Sequence, residues 1–329
     1  MTNNEPEKIK IDDAPDEVLS SMIFRLGVLI AFLLVCGFVF SSNIFAVEKE
    51  NVVATPPKKV VLVSPFEYVS IEAGSAYIYD VHAKKVLYTK NEDAQLPLAS
   101  VTKLMTALVA SKLIAPETII TIGEASIAIE GDNGFHIDEQ WNFKDLLDYT
   151  LLVSSNDGAH AIATIGGSFI QTGAGNARDK FIAQMNEEAL SLGLTQTYFL
   201  NESGLDANTT VGGGYGSARD IATLMTHIIT RSPNLLTATT DSAHTFVSVD
   251  GFVYEGGNTN TTTGTIPSLL ASKTGFTDLA GGNLAIAFDA GINRPIIVVV
   301  LSSSFDGRFK DIETLVSATL AAIAQGTVE

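Results

Sequence analysis

Strand-like segments stand near both ends of residues 71–329, with the helical periodicities between them and one closing helix after the last strand. At the front, alternation in Ala76-Tyr-Ile-Tyr-Asp80 and Val86-Leu-Tyr88, split by His82-Ala-Lys-Lys85, predicts a β-hairpin. At the back, Leu269–Phe276, Asn283–Asp289 and Pro295–Ser302 read as three strands, the last two joined at Gly291-Ile-Asn-Arg294. Apolar spacing after Ser100 (Leu104, Ala107, Leu108, Leu113) predicts a helix beginning near that serine. Further helices are expected within Phe143–Ile165, over Arg178–Leu192 up to Gly193, over Ala218–Ile229, and over Phe309–Ala324. Strands first and last, with helices between, predict an α+β (mixed α/β) domain. Its antiparallel sheet is built from both ends of the segment, flanked by helices, and carries a helical subdomain.

Ahead of this domain, residues 1–21 read as a cytoplasmic disordered tail, 22–47 as a transmembrane anchor and 48–70 as a linker around Thr55-Pro-Pro-Lys-Lys59. Leu26 to Val47 carries no charge and is long enough to span a bilayer. A cleaved signal peptide is the alternative, with Leu26–Phe40 as its apolar part and a cut after Ala46. The stretch before it is long and acidic (Glu5, Glu7, Asp12, Asp13, Asp16, Glu17), which favours the uncleaved anchor. Cations flank both sides (Lys8, Lys10 and Arg25 before; Lys49, Lys58 and Lys59 after), so charge alone does not orient it.

A net charge of −17 argues against a nucleic-acid partner. The single cysteine, Cys36, excludes an intrachain disulfide. The five histidines are scattered with no pair at ligand spacing, so the sequence calls for no metal and no other cofactor.

Three short motifs occur in one order: Ser100-Val-Thr-Lys103, Ser154-Ser155-Asn156 and Lys273-Thr274-Gly275. A serine hydroxyl attacks only when a base takes its proton, and Lys103 lies three residues on, on the same helix face. Lysine serves as a base only with its pKa pulled down, by burial or by a second cation such as Lys273. Taken singly, each motif has a plainer reading: a capping serine with a solvated lysine, and a helix-breaking turn at Ser154–Gly158. Taken together in this order, they match the signature of penicillin-binding proteins and serine β-lactamases.

The residues around the motifs narrow the match. Leu98-Ala-Ser-Val-Thr-Lys-Leu-Met-Thr-Ala107, Leu152-Val-Ser-Ser-Asn-Asp157, Ser203-Gly-Leu-Asp206, Ser217-Ala-Arg-Asp220 and Lys273-Thr-Gly-Phe-Thr277 resemble the serine D-Ala-D-Ala carboxypeptidases. These are the low-molecular-mass penicillin-binding proteins, peptidase family S11. The resemblance implies a penicillin-binding/β-lactamase-like fold and removal of the terminal D-Ala from peptidoglycan stem peptides during cell-wall maturation. It implies Ser100 as nucleophile, Lys103 as general base, Ser154 as proton relay to the leaving amine and Asn156 as holder of the substrate amide. Lys273 and Thr274 would take the terminal carboxylate on an edge strand, with Gly275 leaving room for a substrate backbone. The N–H groups of Ser100 and Phe276 would form an oxyanion hole, and Arg308 a second carboxylate anchor. Several relatives have His where Phe276 stands.

The partners implied are a stem peptide ending in D-Ala-D-Ala, β-lactams as covalent inhibitors, and a membrane holding the catalytic domain on its outer side. Many relatives add a C-terminal β domain and amphipathic anchor; this sequence ends after its last helix, and neither is expected. A serine β-lactamase is the nearest alternative, but Glu187-Glu-Ala-Leu190 reads as helix, and Ser191 stands where Asn is wanted. A D,D-endopeptidase or transpeptidase on the same site stays open, whereas intact motifs argue against a catalytically dead wall-binding scaffold. Arg219 is expected to make a supporting ion pair, and Asp206 and Asp220 to be structural.

Overall fold

The computed structural model describes residues 16–42, 63–131 and 133–327. Residues 1–60 and 61–329 form two separate units. In the first, α1 (Asp16–Ser42) covers much of the apolar stretch, and its side chains from 21 to 37 are exposed. Among the described residues no helix is long and apolar enough to cross a membrane. The expected single-pass span is thus not shown among the described residues, and residues 43–47 of that assignment lie outside them.

In the second unit the two ends of the chain do meet. The hairpin β1 (Ser75–Asp80) and β2 (Lys85–Lys90) is followed by β3 (Leu96–Pro97), a 3₁₀ turn at Ala99–Thr102 and α2 (Lys103–Leu113). Then come β4 (Ile119–Thr121), α3 (Glu124–Ile127), β5 (Gln140–Asn142), α4 (Phe143–Val153), α5 (Asn156–Ser168) and α6 (Ala177–Ser191). β6 (Tyr198–Phe199), β7 (Gly214–Gly216), α7 (Ala218–Arg231) and the hairpin β8 (Ala243–Val247) and β9 (Val253–Gly257) lead to the last three strands. There β10 (Leu269–Thr277), β11 (Gly281–Asp289) and β12 (Pro295–Ser303) precede α8 (Gly307–Ala324).

The main sheet has the order β10-β11-β12-β1-β2, with antiparallel neighbours throughout. Ala76 stands opposite Val300 and Ile78 opposite Val298, so first and last strands pair directly. Strand β12 is buried on both faces because every position from Ile296 to Leu301 is apolar. Ile296, Val298 and Val300 pack with Ile312, Leu315 and Val316 of α8. Ile297, Val299 and Leu301 face the larger core with Leu104, Leu108, Leu146 and Ile221 of the helical half. Each such side chain contributes about 1.5–3 kcal/mol when fully buried. Asp311 of α8 latches the chain's entry to the sheet, accepting from the N–H groups of Glu72 and Ala73 and from Ser303 Oγ.

This order leaves β10 at an edge, with the 3₁₀ turn and α2 beside it. The open edge of β10 and the N-terminal end of α2 are what position the site.

Candidate active site

The serine of the first motif sits one step ahead of where helical periodicity puts it. The α-helix proper starts at Lys103, and Ser100 lies in the tight turn before it. Ala99 enters that turn at φ 47°, in the left-handed region that a Cβ disfavours. Leu98 N–H donates to Gly214 O, and Val101 N–H to Leu98 O, which pins the turn from both sides. Ser100 is half-buried, and Lys103 is 1% exposed.

Lys103 Nζ donates to three acceptors: Ser100 Oγ at 2.9 Å, Asn156 Oδ1 at 2.7 Å and the backbone carbonyl of Ser203 at 3.0 Å. Burial pulls its pKa down from 10.5 to about 7, against the opposing pull of the Glu202 and Asp157 carboxylates. Burial is thus the cause that counts at Lys103. The expected influence of a second cation falls on the other lysine: burial first, then the charges of Lys103 and Arg308, hold Lys273 well below the usual range.

The second motif is a break between two helices. Ser154 ends α4 in the left-handed conformation at φ 65°, and Ser155 caps α5 by accepting from Gly158 N–H. Such a reversal turns Ser154 and Asn156 towards α2 and β10 together. Lys273 Nζ donates to Ser154 Oγ at 2.9 Å, across 119 residues of sequence, and to Thr274 O at 3.1 Å. Asn156 Nδ2 donates to Glu130 O, tying in the loop before β5.

The third motif lies on the sheet edge, as the sequence implies, and Lys273, Thr274 and Gly275 are buried there. Thr274 Oγ1 shares a hydrogen bond with Thr259 Oγ1 at 2.6 Å. Gly275 has a tighter reason to lack a side chain than room for substrate. A methyl group there would lie 2.8 Å from Leu98 O and 3.1 Å from Ser100 N, closer than packed atoms tolerate. Phe276 is exposed and meets Phe305 edge-on with ring centres 5.0 Å apart.

Arg308 is 4% exposed and lies over the rings of Phe305 and Phe309, at 4.3 and 4.7 Å from their centres. Its Nη1 donates to Gly275 O at 2.9 Å, so it braces β10 from behind. Arg219 pairs with Glu92 and Asp93 and lies over Tyr77, an ion pair as expected. Asp206 accepts from Thr277 Oγ1, and Asp220 from Gln196 N–H and Thr197 Oγ1, both structural ties. Glu187 belongs to α6 and is exposed, away from any role as a deacylating carboxylate. A cleft of about 700 Å³ continues past the third motif, lined by Glu130, Leu205, Asp206, Phe276, Thr277 and Asp278.

Sequence reasoning missed the Ser203 carbonyl. A main-chain acceptor leaves no side-chain signature; only Gly204, at φ 79°, marks the spot. It missed the loop at Glu130 for the same reason, and the hairpin β8–β9 because its mostly exposed residues show little apolar alternation.

A buried lysine hydrogen-bonded to a serine on a helical turn, facing a second serine–lysine pair across a sheet edge, defines a class: the serine peptidases that work by acyl transfer with lysine in place of histidine. The chain belongs to the D-alanyl-D-alanine carboxypeptidase family, whose model matches residues 60–304. It is 32% identical over 257 residues to a D-alanyl-D-alanine endopeptidase of Pseudomonas aeruginosa, covering 76% of each chain. It is 29% identical to the carboxypeptidase DacA of Escherichia coli, covering 72% of this chain and 58% of that one. Among solved structures, ampicillin-bound penicillin-binding protein D2 of Listeria monocytogenes superimposes with a TM-score of 0.62 at 25% identity, covering 76% of this chain and 98% of that one. A D-alanyl-D-alanine carboxypeptidase of Mycobacterium tuberculosis, at 24% identity and a TM-score of 0.67, shares the fold and covers 79% of this chain and 96% of that one.

Proposed function

We propose that the enzyme removes the terminal D-Ala from peptidoglycan stem peptides through an acyl-enzyme on Ser100. The observation that carries this reading is the paired geometry: Lys103 Nζ 2.9 Å from Ser100 Oγ, and Lys273 Nζ 2.9 Å from Ser154 Oγ. With a pKa of about 7, a large share of Lys103 is neutral at physiological pH and free to act as base. The Lys103 amine takes the proton of Ser100 as Oγ bonds to the carbonyl carbon of the penultimate D-Ala. The resulting oxyanion is received by the N–H groups of Ser100 and Phe276, each such donor being worth about 3 kcal/mol of barrier. The C–N bond then breaks as Ser154 delivers a proton to the leaving amine. Water hydrolyses the ester and restores Ser100.

Thr274 supplies a hydroxyl and Arg308, behind it, a positive charge for the leaving D-Ala carboxylate. Arrival of that anion favours the protonated form of Lys273, which burial and the cations Lys103 and Arg308 otherwise oppose. Asn156 holds the substrate amide, and the stem peptide runs along β10 into the cleft at Glu130 and Asp278. Gly275 lets backbone and strand approach. β-Lactams acylate the same serine, as the ampicillin-bound relative supports.

We place the catalytic domain, residues 71–329, outside the cell on the linker 48–70, held by the segment 22–47, with residues 1–21 on the cytoplasmic side. Recovery in the membrane fraction after alkaline extraction supports the anchor, and recovery in the soluble fraction refutes it. For the activity, the full chain is incubated with a fluorescent penicillin and with a diacyl-D-Ala-D-Ala peptide. A lasting adduct on Ser100 with D-Ala release is expected. Rapid penicillin turnover without D-Ala release would make it a β-lactamase, and no adduct would leave the wall-binding scaffold. The Pseudomonas aeruginosa relative favours one further substrate, a D,D-cross-linked peptide, tested by the same assay on muropeptide dimers.

A further inference from the structure

The third acceptor of Lys103 is a backbone carbonyl, and its position depends on one side chain that touches neither nucleophile nor base. Asn201 Oδ1 accepts from Gly204 N–H at 2.7 Å and from Ser203 N–H at 3.2 Å. Its Nδ2 donates to Leu205 O at 2.8 Å. One carboxamide thus ties three consecutive residues, the first of which turns its carbonyl to Lys103 of α2. From the same segment, Glu202 O accepts from Thr106 Oγ1 of α2 at 2.6 Å. Two hydrogen bonds therefore join this loop to one face of the nucleophile helix, at Lys103 and Thr106.

Two glycines make the fit close. A methyl group at Gly204 would fall 1.8 Å from Ala99 O, inside the strained turn that presents Ser100. A methyl group at Gly213 would fall 2.3 Å from Leu205 O and within 2.5 Å of the Asn201 carboxamide. Gly213 O in turn accepts from the N–H groups of Leu200 and Asn201. The stack runs without a gap from Gly213 through Asn201 and the 203–205 loop to the turn at Ala99.

We infer that Asn201 is a positioning residue for the reaction: through the Ser203 carbonyl it fixes where the Lys103 amine stands relative to Ser100 Oγ. The inference rests on Lys103 being the base. A lysine carries four rotatable side-chain bonds, and Ser100 Oγ and Asn156 Oδ1 hold its amine at two points. The Ser203 carbonyl closes the third direction. A shift of about 1 Å in a reacting group costs on the order of 10²-fold in rate.

The charged groups that face Lys103 are Glu202 on the same loop, Asp157 on α5 and Lys273 on β10. Arg178 of α6 and His160 of α5 lie around Glu202. None of them is altered by changing Asn201. Loosening the loop admits water to Lys103 and removes the burial that lowers its pKa.

The test compares Asn201→Ala with Asn186→Ala in the full chain. Asn186 bonds the N–H and carbonyl of Phe199 on the same stretch but does not reach residues 203–205, so it serves as a structural control. Labelling of the parent at Ser100 is established first; its failure would refute the functional reading rather than this one. For Asn201→Ala, the saturating acylation rate is expected to fall about 10–100-fold with little change in the reversible dissociation constant, and the acid limb of the pH–rate profile to move upward. Asn186→Ala is expected to lower thermal stability and leave that limb in place. A folded Asn201→Ala with the parent's rate and profile overturns the inference, as does an equal shift in Asn186→Ala. Should Asn201→Ala fail to fold, Asn201→Ser, whose shorter side chain does not span Gly204 N–H and Leu205 O together, is read on the same two quantities. A parent-like result there overturns it equally.

Discussion

The two serine–lysine pairs of this molecule share a donor–acceptor distance and differ in how they are made. Ser100 and Lys103 are three residues apart on one turn, so local helix geometry nearly suffices to bring them together. Ser154 and Lys273 are 119 residues apart and meet only because a left-handed helix end and a sheet edge arrive at one place. Local pairs are cheap in chain entropy and written in the sequence; distant pairs depend on the whole fold. The lysines differ in field as well. Lys103 has Glu202 and Asp157 to moderate its burial, whereas the nearby charges acting on Lys273 are the cations Lys103 and Arg308. That difference fits the proposed division of labour, in which the first lysine moves a proton at neutral pH and the second gains its charge when an anion arrives.

The sharpest way to break that contrast is Ser100→Ala. Covalent labelling should vanish while the melting temperature stays near that of the parent, since only one small oxygen leaves a half-buried turn. A labelled mutant, seen by mass spectrometry, would move the nucleophile elsewhere. Next in size, Lys103→Ala should slow acylation by about 10³-fold or more yet keep reversible ligand binding, read by competition with a fluorescent penicillin. Equal labelling rates in mutant and parent would remove Lys103 as base.

The distant pair should behave differently. Ser154→Ala is expected to cost about 10²-fold in release of the leaving group, and Lys273→Ala to weaken binding of carboxylate-bearing ligands more than of their esters. If both lysine variants lose binding and rate in the same ratio, the division of labour fails. A gentler probe is pH. In the proposed reaction the neutral form of Lys103 is the base, and its pKa of about 7 lies below the 10.5 of an exposed lysine. Acylation should therefore rise with pH, roughly tenfold per unit below that value, and level off above it. Folding stability should also rise with pH between about 7 and 10.5, because the unfolded chain holds the proton longer. Chemical denaturation across that range reads the slope.

The local pair and the terminal strands were legible in the sequence for one reason: each is written at short range. Alternation at Ala76–Asp80 gave β1, and the apolar run at 295–302 gave β12, with ends correct to about one residue. The offset of Ser100 from the α-helix was not legible, because the turn is set by Gly204 and Gly275 pressing on Ala99 and Ser100 from segments far away in sequence. Nor was the reason for Gly275, which reads as an opening for ligand and proves to be a contact with Leu98 and Ser100. The cause of the lysine pKa shifts divided differently from expectation for a related reason. Burial depends on everything packed around Lys103, which no motif encodes.

That missing methyl at Gly275 sets a dimension. The amide of Ser100 and the amide of Phe276 stand on two separate pieces of chain, and the approach between those pieces leaves no room for a methyl group at Gly275. Any residue with a carbon there would spread the two amides apart and enlarge the receptacle between them. Gly275→Ala should therefore lose rate out of proportion to the roughly 1–3 kcal/mol that overpacking takes from stability. The calibre of the proposed oxyanion receptacle would then be fixed by an atom that is not there.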